Sequence, residues 1–444
     1  MGPRPVAGPA DGIEADYAEL LVGDLHASLA SPVSESMNFL NEIALRYPDA
    51  VSLAAGRPYE GYFDLDDLPR YLSLYRRHLA ERLGGDEEGV RRTVLQYGRT
   101  KGVIHELVAE HLRLDEGIHA DPQDLVVTVG CQEALYLTLR ALRRDERDVL
   151  LAVAPSYVGV HGAAGLVDMT LVPVRGTADG IDLDDLVARI REIRARGLNP
   201  RACYVIPDFA NPSGIRMSLE TRRRLLRIAA EEDVLLLEDN PYGLFGDPDG
   251  PPTLKALDTA ARVVYLGSFA KTGLPGARVG YVLAEQRVSD AHGSAGTLAD
   301  QLAKVKSMLT VNTSPIAQAV IGGKLLAHGC SLREANVREI ATYRANLTRM
   351  LDGLERRLGD VPGVSWNAPE GGFFLLLTVP FPAGDDLLEH CASTYQVLWT
   401  PVHHFYADTR PRNVMRLSFS HLRPEEIETG LDRLARFVRD QQQN

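Results

Sequence analysis

Ser268-Phe269-Ala270-Lys271-Thr272-Gly273-Leu274-Pro275-Gly276-Ala277-Arg278-Val279-Gly280 follows directly on the apolar run Val263-Val264-Tyr265-Leu266. The run reads as a buried strand, and the Gly- and Pro-rich stretch after it as a turn. Such a strand delivers a hydroxyl (Ser268), an amine (Lys271) and a guanidinium (Arg278) to one end of a sheet. Only six of the 48 basic residues are lysines, so an amine in this setting stands out. A lysine of ordinary pKa, about 10.4, is neutral in only about one molecule in 10³ at pH 7. Keeping it neutral by environment alone would require roughly 4–5 kcal/mol of bias. Forming a Schiff base removes that requirement, because the imine nitrogen titrates at a lower pH. The planar fork of Arg278, with Ser268, matches a phosphate. The three groups together suit a ligand that carries both an aldehyde and a phosphate.

Working outward, the same pattern recurs. Leu125–Val129, Val149–Val153, Ala202–Ile206, Val234–Leu237, Val263–Leu266 and Val279–Leu283 are short runs rich in Val and Leu on both faces, as buried strands are. Gln132–Arg144, Leu183–Arg196 and Leu219–Glu232 carry apolar residues at helical spacing between them. Alternation of this kind predicts an α/β domain around a mostly parallel sheet. Ligands of such sheets bind beyond the carboxyl ends of the strands. The conspicuous polar residues fall there: Gly130-Cys131-Gln132, Ser156-Tyr157, Asn211-Pro212-Ser213-Gly214, Asp239-Asn240-Pro241-Tyr242 and Lys271, one group after each of five strands. One site assembled from five strand ends accounts for all of them.

After about residue 330 the pattern changes to long charged helices, around Leu332–Leu358 and Glu425–Arg439, flanking strands at Phe373–Val379 and Val414–Phe419. This reads as a smaller α+β domain. The expected division is a mobile arm over 1–30, a segment at 31–90 shared between the small domain and an interface, a large ligand-binding domain at 91–325, and a small domain at 326–444. A net charge of −12 argues against a nucleic-acid partner, which needs a basic face. No apolar stretch approaches membrane-spanning length, and no signal-peptide pattern opens the chain. Cys131, Cys203, Cys330 and Cys391 show neither metal nor disulfide spacing, so a reducing cytoplasm is expected.

In their order and combination these motifs resemble the fold-type I enzymes that use pyridoxal 5'-phosphate, specifically the class I/II aminotransferases of the kynurenine/aminoadipate aminotransferase-like branch. The likeness runs from about Val33 to Val438. It implies a homodimer and a role for each motif. Lys271 resembles the lysine that forms the Schiff base and later carries the proton. Asp239 resembles the carboxylate that pairs with the ring nitrogen and keeps the ring an electron sink. Asn211 and Tyr242 resemble donors to the ring's phenolic oxygen, and Tyr157 the aromatic that stacks on the ring. The phosphate would rest on the backbone N–H groups of Cys131 and Gln132 at a helix N-terminus, with Ser268 and Arg278. Many relatives have Ser or Thr where Cys131 stands. Tyr97 resembles a tyrosine that reaches the neighbouring subunit's phosphate, and Asn312-Thr313-Ser314 is a second candidate at that interface or a helix cap.

On the substrate side, Arg416 in Val414-Met415-Arg416-Leu417-Ser418-Phe419 resembles the arginine that grips the α-carboxylate. A lone Arg in an apolar strand needs such a partner. Gly56 resembles the small residue beside it. The chain departs from the family's pattern twice, at Tyr59-Glu60-Gly61-Tyr62-Phe63 and at Thr400-Pro401-Val402-His403-His404-Phe405-Tyr406. His404, or His403, is expected to face substrate. No metal site is expected, because two adjacent histidines lack a third ligand nearby in sequence.

The reaction implied is transfer of an amino group between an L-amino acid and a 2-oxo acid in a ping-pong cycle. A specialised lyase or synthase that uses the same Cα carbanion is the alternative, since both departures lie on the substrate side. A decarboxylase is less favoured, as it needs the carboxylate out of the ring plane. An aminotransferase-like transcription regulator is also disfavoured: only about 30 residues precede the resemblance, too few for a winged-helix DNA-binding module. Gly273…Gly276…Gly280 lacks the spacing of a dinucleotide loop.

Overall fold

The computed structural model describes residues 18–31, 39, 42–408 and 410–443. Most of the expected arm, residues 1–17, and Val33, where the resemblance begins, lie outside the described residues.

An eight-stranded sheet organises the chain. Its strands are β1 (Leu125–Thr128), β2 (Asp148–Ala154), β3 (Thr170–Thr177), β4 (Gly180–Ile181), β5 (Asn199–Val205), β6 (Leu235–Asp239), β7 (Val263–Ser268) and β8 (Gly280–Leu283). In space they run β1-β8-β7-β6-β5-β2-β3-β4. The five strands from β7 to β3 pair in parallel, β8 runs antiparallel to both its neighbours, and β4 forms a short antiparallel hairpin with β3. Alternate residues of a strand serve opposite faces: Ala202 and Tyr204 pack into one core cluster, Cys203 and Val205 into another.

The helices form where the sequence caps them. Asp182 accepts from the Asp184 and Asp185 N–H groups and starts Leu183–Ala195, which buries Leu183, Leu186, Ile190 and Ile193. Ser218 caps Leu219–Glu231 in the same way. The expected strands and helices are present within a few residues of their predicted ends. Strand β3 was not expected: it carries Pro173 and Arg175 and is only half covered, so it lacks a continuous apolar run.

A second sheet orders Ser365–Trp366, Phe374–Ala383, Arg412–Ser418 and Thr400–Pro401 side by side, all antiparallel. Its core includes Leu377, Met415 and Trp399 and also Leu53 and Ala54 from the N-terminal segment. Val51–Ser52 pairs in parallel with Val397–Leu398, which brings residues near 55 alongside this sheet. The single helix expected over Leu332–Leu358 is two, Leu332–Ala335 and Val337–Leu358, parted at Asn336. The Asn336 amide is buried and donates to the Thr272 and Leu332 carbonyls, tying that junction to the residue after Lys271.

Candidate active site

A cavity of about 560 Å³ opens beyond the carboxyl ends of β6 and β7. Its walls include Gly56, Cys131, Gln132, Tyr157, Asn211, Asp239, Tyr242, Ser268, Lys271, Arg278 and Arg416, so eleven of the residues singled out in the sequence converge on it. Its charges are unbalanced. Arg57, Lys271, Arg278 and Arg416 face a single carboxylate, Asp239. Such a cavity favours anionic ligands.

Lys271 lies three residues past β7, and its Nζ donates to the Gly56 carbonyl at 2.7 Å. Burial, reinforced by the Arg416 and Arg278 charges, holds its amine down at about 8. Asp239 ends β6. Burial pushes its carboxyl up to about 6, although the Tyr204 hydroxyl donates to it at 2.5 Å. Without a cationic partner the carboxylate is therefore poorly stabilised, as expected of a group built to face a ring cation. Tyr204 was not anticipated from sequence. The strand register supplies what the sequence did not: β5 pairs with β6 so that Tyr204 stands opposite Leu237, two residues before Asp239 on the same face.

At the other end, the helix Gly130–Leu142 points its N-terminus into the cavity. Gly130 has φ 71°, and a Cβ there would lie 2.6 Å from Arg278 Nη2. Glycine is therefore required for the guanidinium to sit against the helix end. Arg278 itself holds a left-handed conformation at the end of the Pro275–Ala277 turn, and it forms no ion pair among the described residues. A Cβ on Gly280 would come within 2.6 Å of the Cys131 nitrogen. The Cys131 thiol turns toward Asp239 Oδ1, 3.5 Å away, which leaves the backbone N–H as its contribution to the cradle. Helix N-terminus, guanidinium and Ser268 fit a phosphate. Lys271 and Asp239 fit the aldehyde and ring nitrogen of pyridoxal phosphate.

Arg416 lines the cavity from the strand Arg412–Ser418. Its Nη1 donates to Asn211 Oδ1 at 2.7 Å and its Nη2 to the Ala54 carbonyl at 2.8 Å and Thr400 Oγ1 at 3.1 Å. The guanidinium lies over the Phe374 ring at 4.2 Å and the Phe405 ring at 4.9 Å. Burial brings its pKa down to about 10. No carboxylate of the described residues pairs with it, and its Nε is buried without a hydrogen-bond partner. Gly56 is small for a steric reason, since a Cβ would fall 2.1 Å from Phe374 Cζ. Tyr242 is buried against Phe373 and Phe374. Burial also raises the Tyr157 hydroxyl to about 12.

Tyr97 is 82% exposed and is not part of this chain's cavity wall. Ser314 caps the helix Pro315–Ala327, and Thr313 donates to the Val127 carbonyl, so both have internal roles. His404 is not part of the cavity wall. Its Nε2 lies 2.8 Å from Asp385 Oδ1, and the next residue, Phe405, lines the cavity instead. A 3-10 turn over Val402–Phe405 rotates the two histidines away. The aromatic departure at 59–63 is pinned to the helix Val337–Leu358 by a hydrogen bond from the Tyr59 N–H to the Tyr343 hydroxyl and by one between Tyr62 and Thr342.

The comparisons with known proteins agree with this geometry. The family model described as aminotransferase class I and II matches residues 77–434. A (S)-3,5-dihydroxyphenylglycine transaminase of Amycolatopsis orientalis is 54% identical over 420 residues, 95% of each chain. Aromatic-amino-acid aminotransferase 1 of Thermococcus litoralis is 30% identical, over 88% of this chain and 89% of its own. Among solved structures, the kynurenine aminotransferase of Pyrococcus horikoshii, in complex with PMP, superposes with a TM-score of 0.76 at 28% identity, over 93% of this chain and 95% of that one.

Proposed function

The chain belongs to the class I and II aminotransferases and is a pyridoxal phosphate-dependent transaminase; from that premise we propose that its amino donor or product is an amino acid with an aromatic ring attached directly to Cα, of the dihydroxyphenylglycine kind. The observation that carries this reading is a buried guanidinium without a carboxylate partner, packed against two phenyl rings, in the same cavity as an amine of lowered pKa. The 54% identity to a transaminase named for such a substrate supports it. Tyr157, Tyr242, Phe374 and Phe405 give the cavity aromatic walls, which suit a rigid ring.

Bound pyridoxal phosphate supplies a ring that accepts the electron pair released when a Cα–H bond breaks. The residues of the chain do the rest in this proposal. Arg416 grips the α-carboxylate and turns Cα so that its hydrogen faces Lys271. Lys271 takes that proton and returns it one position along. Asp239, supported by Tyr204, keeps the ring nitrogen charged. Asn211 spends its Oδ1 on Arg416, which leaves its amide N–H for the ring's phenolic oxygen alongside Tyr242. Tyr157 covers the ring. Cys131, Gln132, Ser268 and Arg278 hold the phosphate.

Tyr97 of a second copy completes that cradle in a homodimer. The exposed Leu95, Tyr97, Met308, Leu309, Val311 and Ile316 are consistent with a buried interface there. The domain division expected from the sequence, 91–325 against 31–90 with 326–444, then separates cofactor binding from carboxylate binding. Four unpaired cysteines fit a cytoplasmic site, and no described helix is long and apolar enough to cross a membrane.

The test is competition. The holoenzyme is given (S)-3,5-dihydroxyphenylglycine, phenylalanine and 2-aminoadipate with a common 2-oxo acid acceptor, and products are followed by mass. A kcat/KM at least about tenfold higher for the arylglycine, the difference expected from 1.4 kcal/mol of pocket fit, supports the reading. A preference for 2-aminoadipate would overturn it.

A further inference from the structure

The segment Thr400–Phe405 touches the substrate arginine at both ends: the Thr400 hydroxyl accepts from Arg416, and the Phe405 ring covers its guanidinium. Two residues between those ends, His403 and His404, point elsewhere, toward Asp385 at the start of the helix Asp385–His390. His404 Nε2 lies 2.8 Å from Asp385 Oδ1 and His403 Nε2 lies 3.4 Å from Asp385 Oδ2, so each imidazole addresses a different oxygen of one carboxylate. The two rings are 4.2 Å apart, and one ligand atom from each residue lies within 4.8 Å of the others. Asp385 is the third ligand that the sequence neighbourhood of the histidines lacks.

Two ligand atoms on one tetrahedral zinc ion stand roughly 3.3 Å apart, from bond lengths of about 2.0–2.2 Å. The spacings above bracket that value. The imidazoles are buried while the Asp385 side chain is 42% exposed, so an ion entering here keeps one side open to water. Two imidazoles and one carboxylate make a mixed nitrogen and oxygen donor set, which suits a divalent ion of this class.

We propose that Asp385, His403 and His404 form a site for a divalent transition-metal ion of the zinc class, and that the bound ion braces the Thr400–Phe405 segment against Arg416. The second half rests on the reading of Arg416 as the carboxylate grip; the first half does not. His403 Nδ1 makes no hydrogen bond within the described residues, so one ligand lacks the outer partner that tightens such sites. Binding on the order of micromolar is therefore expected rather than the much tighter binding of structural zinc.

The experiment is calorimetric titration of chelator-treated, dialysed holoenzyme with ZnCl2 while the cofactor absorbance is recorded. The expected result is one ion per chain with the cofactor spectrum unchanged, and at least tenfold weaker binding in Asp385→Asn and in His403→Gln with His404→Gln. X-ray absorption of the Co²⁺-loaded wild-type protein needs no variant and is expected to show two imidazole ligands. KM for the amino donor is expected to fall about fivefold on metal addition, the lower range of allosteric coupling. Absence of saturable binding, binding that survives in both variants, or a Co²⁺ shell without imidazole overturns the site. An unchanged KM overturns the bracing. A protein inactive with every amino acid would refute the transaminase substrate reading and leave the titration intact.

Discussion

Asp239, Ser268 and Lys271 sit on, or just beyond, two neighbouring strands of one sheet, and Arg278 closes the turn that follows. The opposite wall of the same cavity is assembled differently. Arg416 reaches the Ala54 carbonyl across 362 positions of sequence and Asn211 across 205. The cofactor wall is thus set by the local geometry of strand ends, where each polar residue follows its own apolar run. The wall around Arg416, the substrate wall of the proposed function, exists only after distant segments have packed. Errors on the first should remove chemistry outright, and errors on the second should grade affinity. The largest expected effect tests the first half of this contrast. Lys271→Ala should lower kcat by about 10⁴, the upper range for a positioned acid–base group, and abolish borohydride trapping of the cofactor on the chain. Retained cofactor colour with no covalent adduct would show that Asp239 and the phosphate cradle hold the ligand without the lysine. Activity within about 10² of wild type would break the contrast, because the amine would then be dispensable.

Arg416→Ala tests the other wall. Losing one partner of a buried ion pair costs about 3–5 kcal/mol, so kcat/KM should fall by on the order of 10²–10³. Most of the loss should lie in KM, with the cofactor spectrum unmoved. Arg416→Lys should recover little, since an ammonium cannot reproduce the fork that meets Asn211, Thr400 and Ala54 at once. Near-normal kinetics in the alanine variant would remove Arg416 from the substrate wall.

This contrast also explains what could be read from the sequence. Lys271, Asp239, Asn211 and Tyr242 were legible because a strand end advertises itself as an apolar run followed by polar residues. Tyr204 was missed because it lies inside such a run, where a tyrosine looks like core, and only the register of β5 against β6 reveals its role. The break at Asn336 was hidden by helical spacing on both sides of it, and its cause, a bond to the Thr272 carbonyl, is 64 positions away. The direction of the His404 side chain was hidden for the same reason. A 3-10 turn sends adjacent residues in different directions, and Asp385, which decides the direction, has no sequence relation to it. The segment at 59–63 looked like a substrate feature, yet its partners on the helix Val337–Leu358 lie 280 or more positions on.

An intermediate effect tests the electrostatics that join the two walls. Burial and the charges of Arg416 and Arg278 bring Lys271 down to about 8, which disfavours the cation. Condensation of the apoenzyme with pyridoxal phosphate needs the neutral amine. Its rate should therefore rise with pH, by about 50-fold between pH 6 and pH 8, and level off above. A lysine of ordinary pKa would show no plateau until beyond about pH 10. In Arg416→Ala one repelling charge is gone, so the plateau should move to higher pH. A plateau that stays put would mean that the substrate wall has no electrostatic reach into the cofactor wall.

On the cofactor side, Tyr204 should have a weaker effect than any group above. Tyr204 is not part of the cavity wall and meets the site by donating to Asp239 Oδ2 at 2.5 Å. A hydrogen bond to a charged group contributes about 1.5 kcal/mol at the low end, so Tyr204→Phe should weaken cofactor retention roughly tenfold. The sign with pH follows from the carboxyl. Burial already holds Asp239 up at about 6, and the tyrosine donor opposes that shift. Removing the donor moves the pKa further up, so more of the carboxyl is neutral at pH 6 than at pH 8. A neutral carboxyl cannot balance a ring cation. The variant's deficit in cofactor affinity should therefore be larger at pH 6 and shrink toward pH 8, read by equilibrium dialysis at the two values. A deficit independent of pH would assign Tyr204 to packing alone. The Cys131 thiol, 3.5 Å from the other carboxylate oxygen, is too weak a donor to compensate.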